Sequence, residues 1–297
     1  MSFLISVLEQ GLIYGIVSLG IYITYKILDF PDLSVDGSFP LGAGATAMCL
    51  TLGINPYVTL LIAFAAGAIG GLLTGILHVK FKITNLLSGI LVMLALYSIT
   101  LRVMGGKPNI ALYNEKTVFI EGIPSIIIIA IIAVVCKILL DLFFKTKLGF
   151  MLISAGDNPQ LVTSLGVNKG FVITIGLMIS NGLVALGGSL IAQYQGFVDV
   201  SMGAGTIVVG LASIILGTSL FKKVNFIAIT TVTVIGALLY KLIIGIALAA
   251  NLPPEDMRLI TALIVVIALV ANNTKFKFKK KNRTIGGDSS ATSTESA

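Results

Sequence analysis

Long apolar runs dominate the chain, and short polar stretches punctuate them. The runs occupy 4–25, 38–53, 56–78, 84–104, 123–144, 171–194, 203–221, 225–247 and 257–272. About 20 apolar residues, each rising 1.5 Å, carry an α-helix across roughly 30 Å of hydrocarbon. Each run is therefore read as a membrane span, the second and the last being short. Pro56, Pro124 and the pair Pro253–Pro254 fall at or just before helix starts, where proline is tolerated. The pattern predicts an all-α transmembrane bundle of about eight to nine spans over residues 1–273. A β-barrel would need short alternating segments instead of continuous runs. The first run has no basic leader or cleavage site and is expected to be retained as a span. Residues 274–297 read as a tail, basic in KFKFKKKNR and then polar in GGDSSATSTESA. Its first part suits anionic lipid and its second suits disorder.

The longest weakly apolar interruption in mid-chain is Lys145–Gly170. A short helix is expected inside it, at 159–165. Asp157 and Asn158 are capping residues, Pro159 fits the first helical position, and Gly166 fits the stop. Leu161, Val162 and Leu165 give this helix a small apolar face, Leu161 and Leu165 lying one turn apart. A two-turn amphipathic helix between spans buries little by itself. It is suited to a groove on a partner, although a well-capped connector fits the same residues.

Charge adds orientation. With 145–170 placed on the cytoplasmic side, Lys26, Lys80, Lys82, Lys145, Lys147, Lys169, Lys222, Lys223 and the six basic residues of the tail fall inside. Arg102, Lys107, Lys116 and Arg258 fall outside, while Lys137 and Lys241 lie within spans. The bias places the C-terminus in the cytoplasm. It does not choose between eight and nine spans, because the later loops keep their sides either way.

Composition agrees. The chain is 56% hydrophobic and only 11% charged, against about a quarter charged in soluble domains. The net charge of +7 lies in loops and tail, so membrane lipid is the expected contact and nucleic acid is not. Cys49 and Cys136 sit in apolar runs and form no disulfide or metal pattern. Gly67, Gly71 and Gly75 form a stripe at four-residue spacing and Gly11 and Gly15 a shorter one, both suited to close helix packing. A faint echo between GAIGGLL (67–73) and ALGGSLI (185–191) is consistent with an internal repeat.

Few residues within the bundle carry chemistry. The stretch 30–47, FPDLSVDGSFPLGAGATA, follows Asp29 and holds Asp32 and Asp36, so three of the chain's 13 acidic residues cluster here. Pro31, Gly37 and Pro40 interrupt regular helix. Broken backbone at membrane depth belongs where it is buried in protein or lines a cavity. A plain loop followed by a second span capped at Ser38 is the other reading. The expected substrate-pathway residues are Asp32, Ser34, Asp36, Asn85, Ser88 and Asn181, since buried amides and carboxylates in hydrocarbon need partners. Lys137 and Asp141, one turn apart, are expected to pair. Lys241 is deeper and has no obvious local partner, and His78 is expected at the interface.

Absent motifs narrow the function. There is no P-loop, HExxH, GxSxG or paired-cysteine pattern, so neither ATP hydrolysis nor metal-assisted chemistry is expected on this chain, and no cofactor. No helix-centred carboxylate cluster of the kind used by ion-driven pumps occurs either. A gradient-driven transporter or channel with a broken helix at 30–40 remains the alternative to an ATP-driven one.

Two stretches together carry a resemblance. GDNPQLVTSLGV, 156–167, resembles the coupling loop of permease subunits of ATP-binding-cassette (ABC) importers of the branched-chain amino acid and ribose type. The matching positions are Gly156, Asp157, Asn158, Pro159, Leu161, Leu165 and Gly166. DLSVDGS, 32–38, resembles a segment of the sugar-type members, with Asp36 as an extra residue, and 11–27 resembles the first span of the amino-acid branch. The resemblance implies a multi-pass bacterial plasma-membrane permease that imports a small polar solute, an amino acid and in one subgroup an aromatic one. It implies cytoplasmic ATP-binding subunits docked on 156–166, an extracellular substrate-binding lipoprotein and a second permease copy.

Overall fold

The computed structural model describes residues 2–113, 115–119, 122–221 and 228–250, together with 256, 259–264, 266 and 270. The basic tail, Lys222, Lys223, Arg258, Pro253–Pro254 and half of the ninth apolar run lie outside the described residues. Ten α-helices and one two-stranded ribbon are formed among the described residues. They are α1 (Ser2–Tyr22), α2 (Val35–Thr51), α3 (Pro56–Val79), α4 (Asn85–Val103), β1 (Asn109–Ala111), α5 (Ser125–Phe144) and α6 (Lys147–Asp157). Then follow α7 (Pro159–Ser164), α8 (Lys169–Gln195), β2 (Phe197–Asp199), α9 (Thr206–Leu220) and α10 (Ile229–Ala249).

Among the described residues six helices are long and apolar enough to cross a membrane: Phe3–Ile27, Pro56–Val79, Asn85–Val103, Ser125–Phe144, Lys169–Gln195 and Ile229–Ala249. The first continues α1 through a π-helical turn, Ile23–Ile27, and ends at Asp29, whose φ of 49° reverses the chain. Aspartate tolerates that left-handed region better than most residues. Boundaries follow the sequence signals. Asn55 accepts from the Tyr57 N–H (2.9 Å) ahead of Pro56, and Asn168 accepts from the Gly170 N–H (2.9 Å) at the start of α8. Gly196 ends α8 in the left-handed conformation.

The core is built around α8. Gly67, Gly71 and Gly75 on α3 sit where an added methyl would strike Asn181 and Ala185, Leu177, and Thr174 on α8, so the two helices touch backbone to backbone. Such contact substitutes for the missing hydrophobic drive between helices in lipid. Gly11 and Gly15 on α1 meet Leu238 and Val234 of α10 in the same way. Of the glycines in the 67–73 and 185–191 echo, Gly67 and Gly71 pack on α8, whereas Gly187 meets Val17 of α1 and Gly188 meets Phe39 of α2.

Two helices packed within the bundle, α2 and α9, are too short to span. On α2, Ser38, Gly42 and Thr46 meet Asn181, Ala185 and Ser189 of α8 in parallel register. Asn181 lies 12 residues into α8, about 18 Å above its start at 1.5 Å per residue. So α2 begins near mid-depth, after the non-helical chain 28–34 has climbed there from the end of α1. Nearly all of α2 is buried. The helix starts at Val35, with Ser34 and not Ser38 in the cap position. α9 mirrors this: it starts beside Asp36 and ends near α10's beginning. β1 and β2 pair antiparallel, with Ile110 opposite Val198, and tie the C-terminal ends of α4 and α8 together. α6 and α7 lie at the opposite end of the bundle, between α5 and α8.

Candidate functional site

At the end carrying α6 and α7, the stretch read as one short helix is two. α6 is held at its start by Thr146, whose hydroxyl accepts from the Gly149 N–H (3.2 Å). It ends at Asp157, which is exposed. α7 runs from Pro159 to Ser164, one residue short of the expected end, and Gly166 takes φ 72° where the stop was expected. Asn158 occupies the cap position of α7 without a side-chain hydrogen bond, so capping here comes from backbone alone. Val162 is fully buried, whereas Leu161 and Leu165 are 42% and 56% exposed. The three apolar residues therefore divide: one anchors the helix, and two are presented outward.

Gly156 joins this outer pair of helices to the bundle. A methyl built on it would overlap the carbonyl of Ile27 and approach Leu28 Cα to 3.1 Å. Leu28 in turn lies between Leu152 of α6 and Gly176 of α8. Beside this junction is a cleft of about 680 Å³ whose walls include Tyr25, Lys26, Asp29, Ile153 and Asp157. Sequence reading missed α6 because its apolar residues follow α5 after only a short polar break, Lys145–Thr146–Lys147.

At mid-depth, three of the six expected pathway residues form one buried knot. Asp32 Oδ2 accepts from Asn181 Nδ2 (2.8 Å), and Asp32 Oδ1 accepts from the Ser34 N–H (2.9 Å). The Ser34 hydroxyl lies 2.6 Å from Asp32 Oδ1 and 3.1 Å from Asn181 Oδ1. Ser38, which the sequence offered only as a cap, donates to Asn181 Oδ1 (2.6 Å). Asp32, Ser34, Ser38 and Asn181 are at most 1% exposed. Every carboxylate oxygen thus has a donor, as burial in an apolar interior demands. Gly89 of α4 packs on this turn, 2.8 Å from the Leu33 nitrogen by its would-be β-carbon. The knot fixes the broken chain 28–34 to α8.

The other three lie apart from it. Ser88 is buried, but its hydroxyl returns to its own helix, donating to the Thr84 carbonyl (2.7 Å). Asn85 opens α4 and is partly exposed. Asp36 faces the other way, toward α9: Oδ2 accepts from the Gly205 N–H (3.0 Å) and Oδ1 from the Ile207 N–H (2.8 Å). A carboxylate at a helix N-terminus satisfies free N–H groups and opposes the positive end of the helix dipole. Asp36 also borders an open crevice of about 410 Å³.

Two further intramembrane charges find partners. Lys137 pairs with Asp141 at 2.7 Å. Lys241 sits 3.9 Å from the centre of the Tyr14 ring and 3.5 Å from Gln10 Oε1. Both partners come from α1, more than 200 residues earlier, which no local pattern could reveal. His78 Nδ1 lies 2.9 Å from the Ile83 carbonyl at the end of α3.

Residues 3–270 match the family described as branched-chain amino acid transport system, permease component. The tyrosine transport system permease protein of Clostridioides difficile (strain R20291) is 52% identical over 282 residues, 95% of each chain. An uncharacterized protein of Rickettsia prowazekii (strain Madrid E) is 36% identical, over 91% of this chain and 97% of its own. The galactofuranose transporter permease protein of Escherichia coli (strain K12) is 23% identical, over 82% and 72% respectively.

Proposed function

This chain belongs to the family of branched-chain amino acid transport system permease components, and on that footing we propose that it imports an amino acid, with tyrosine the first to test. It is a multi-pass plasma-membrane protein and the permease subunit of an ABC importer, a transport subunit and not itself an enzyme. ATP-binding subunits and a substrate-binding protein complete such a system. The choice of tyrosine rests on the 52% identity to a tyrosine transport system permease over 95% of both chains.

In this reading the ATP-binding subunits dock on α7, with Leu161 and Leu165 entering their groove and Gly156–Asn158 setting its angle. The observation that carries it is the split exposure of α7: a fully buried Val162 holds the helix while Leu161 and Leu165 face outward. Closure of the ATP-binding subunits would push α6 and α7 as a pair, and α1 and α8 would follow through Leu28. The permease then supplies a pathway and two coupled states, not bond chemistry.

The α7 face and the C-terminus are cytoplasmic, supported by the distribution of lysine and arginine. A second permease copy faces the crevice beside Asp36, since a carboxylate at mid-depth belongs against protein or water and not against lipid. Asp32, Ser34 and Asn181 shape the pathway by holding 28–34 in place, and Asn85 and Ser88 set the inner end of α4 beside it.

The test is reconstitution in proteoliposomes with the ATP-binding subunits and the substrate-binding protein. ATP-dependent accumulation of L-tyrosine is expected, together with loss of both uptake and ATP-binding subunits in Leu161→Asp/Leu165→Asp. Uptake that persists without ATP, or in that double variant, would sink the reading.

A further inference from the structure

We propose that Asp36 receives the ammonium group of the transported amino acid, an inference that rests on the amino-acid import proposed above. Four observations lead to it. Asp36 is the second residue of α2, beside Gly37, whose would-be β-carbon lies 3.0–3.2 Å from Met93 and Leu96 midway along α4. Its carboxylate is therefore near the centre of the membrane. It is partly exposed, toward a crevice of about 410 Å³, within the roughly 300–1,000 Å³ of small-molecule sites.

The second observation is charge. The two N–H groups at the start of α9 present only about half a positive charge. Among the described residues no lysine, arginine or histidine lies within ion-pair distance of Asp36; the ion pair they contain is Lys137–Asp141. A net negative group is thus left over at a depth where charges require partners.

The third is valence. Each Asp36 oxygen accepts one hydrogen bond, and an ionised carboxylate has about four acceptor sites in all. An ammonium, with its donors in a compact head, is the matching group. The fourth is the wall opposite: Met93, Leu94 and Tyr97 of α4 give the crevice an apolar and aromatic side. An aromatic amino acid fits with its amine at Asp36 and its ring against α4. The reverse orientation fails, because Asp36 already occupies the N-terminus of α9 that would otherwise attract a carboxylate.

The experiment uses the complete reconstituted transporter and radiolabelled L-tyrosine. Asp36→Asn keeps an oxygen for the α9 cap and removes the charge. Uptake is expected to fall at least tenfold, with ATP-binding subunits still bound and ATP hydrolysis still stimulated by the substrate-binding protein. Asp36→Glu is expected to recover part of the uptake. Tyrosine uptake at the wild-type rate in Asp36→Asn overturns the inference. Where Asp36→Asn fails to assemble, Leu94→Lys decides: it leaves the α9 cap intact and tethers a competing ammonium in the crevice. Leu94→Lys is expected to abolish uptake while Leu94→Met, similar in length and neutral, retains it; equal uptake in the two also overturns the inference. A wild-type complex that imports no amino acid instead refutes the substrate reading beneath it, with α7 docking still measurable by co-purification.

Discussion

The α-carbon of Gly156 lies against the carbonyl oxygen of Ile27, with no room between them for a methyl group. The helix pair at the bundle's end therefore touches the last turn of the first span directly. Gly156→Ala must push α6 away from α1, and overpacking of this kind costs about 1–3 kcal/mol. The expected result is ATP-binding subunits that still co-purify, because α7 is intact, with tyrosine uptake reduced at least several-fold. Uptake in proteoliposomes, normalised to bound subunits, measures it. Unchanged uptake would mean that force does not pass through this contact.

Val162 and its neighbours Leu161 and Leu165 separate folding from docking. Val162→Ala removes buried methyl groups from under α7 and should lower stability by about 1–2 kcal/mol. Leu161→Asp/Leu165→Asp changes exposed positions and should leave thermal unfolding of the isolated permease within about 0.5 kcal/mol of wild type. Thermal unfolding in detergent, run beside co-purification, tests the pair. A double variant that unfolds early would make these leucines structural.

The Asp32–Asn181 pair should be strongly non-additive. Asn181→Ala leaves a buried carboxylate short of a donor and is expected to destabilise by about 2–3 kcal/mol. Asp32→Ala/Asn181→Ala should then cost less than the two single changes summed, with a coupling of about 1–3 kcal/mol. A double-mutant cycle on unfolding in mixed micelles gives the number. Additivity would show that the two side chains are neighbours without mutual dependence.

Asp199, on the ribbon outside the membrane, supplies a pH dependence. Hydrogen bonds from the Ser201 hydroxyl and N–H hold its carboxyl below the ordinary aspartate value. A lowered folded value stabilises the ribbon fully above the unfolded value of about 3.9 and is lost as pH falls through the folded one. Protection of the amides at 109–112 and 197–201, measured as the exchange rate relative to an unstructured peptide at the same pH, is expected to fall on acidification through that window. In Asp199→Asn that protection should stay constant with pH over the same range.

Much of the bundle was legible because membrane helices announce themselves by length and hydropathy. The starts of α3, α5 and α8 follow Asn55–Pro56, Pro124 and Asn168 closely. The stop at Gly166 was legible from glycine's tolerance of a positive φ, whereas Val162, read on one face with Leu161 and Leu165, turned out to be buried beneath them. What stayed hidden depends on contacts far apart in the chain. Nothing local distinguishes Asp32, tied to Asn181 149 residues away, from Asp36, tied to the start of α9. The same holds for Lys241 over Tyr14 and for Ser38, whose cap-like sequence position conceals a hydrogen bond across the bundle.

The two helices at the bundle's end are contiguous in sequence, 147–164, and reach the spans above through Gly156. On the proposed docking, a cell could refit such a permease to a different ATP-hydrolysing motor by exchanging one short cassette, leaving the cargo route untouched. The cassette must carry glycine at position 156, because any larger residue there would arrive already jammed against Ile27. Interchange of motors among related importers would then be governed by a single position's lack of a side chain.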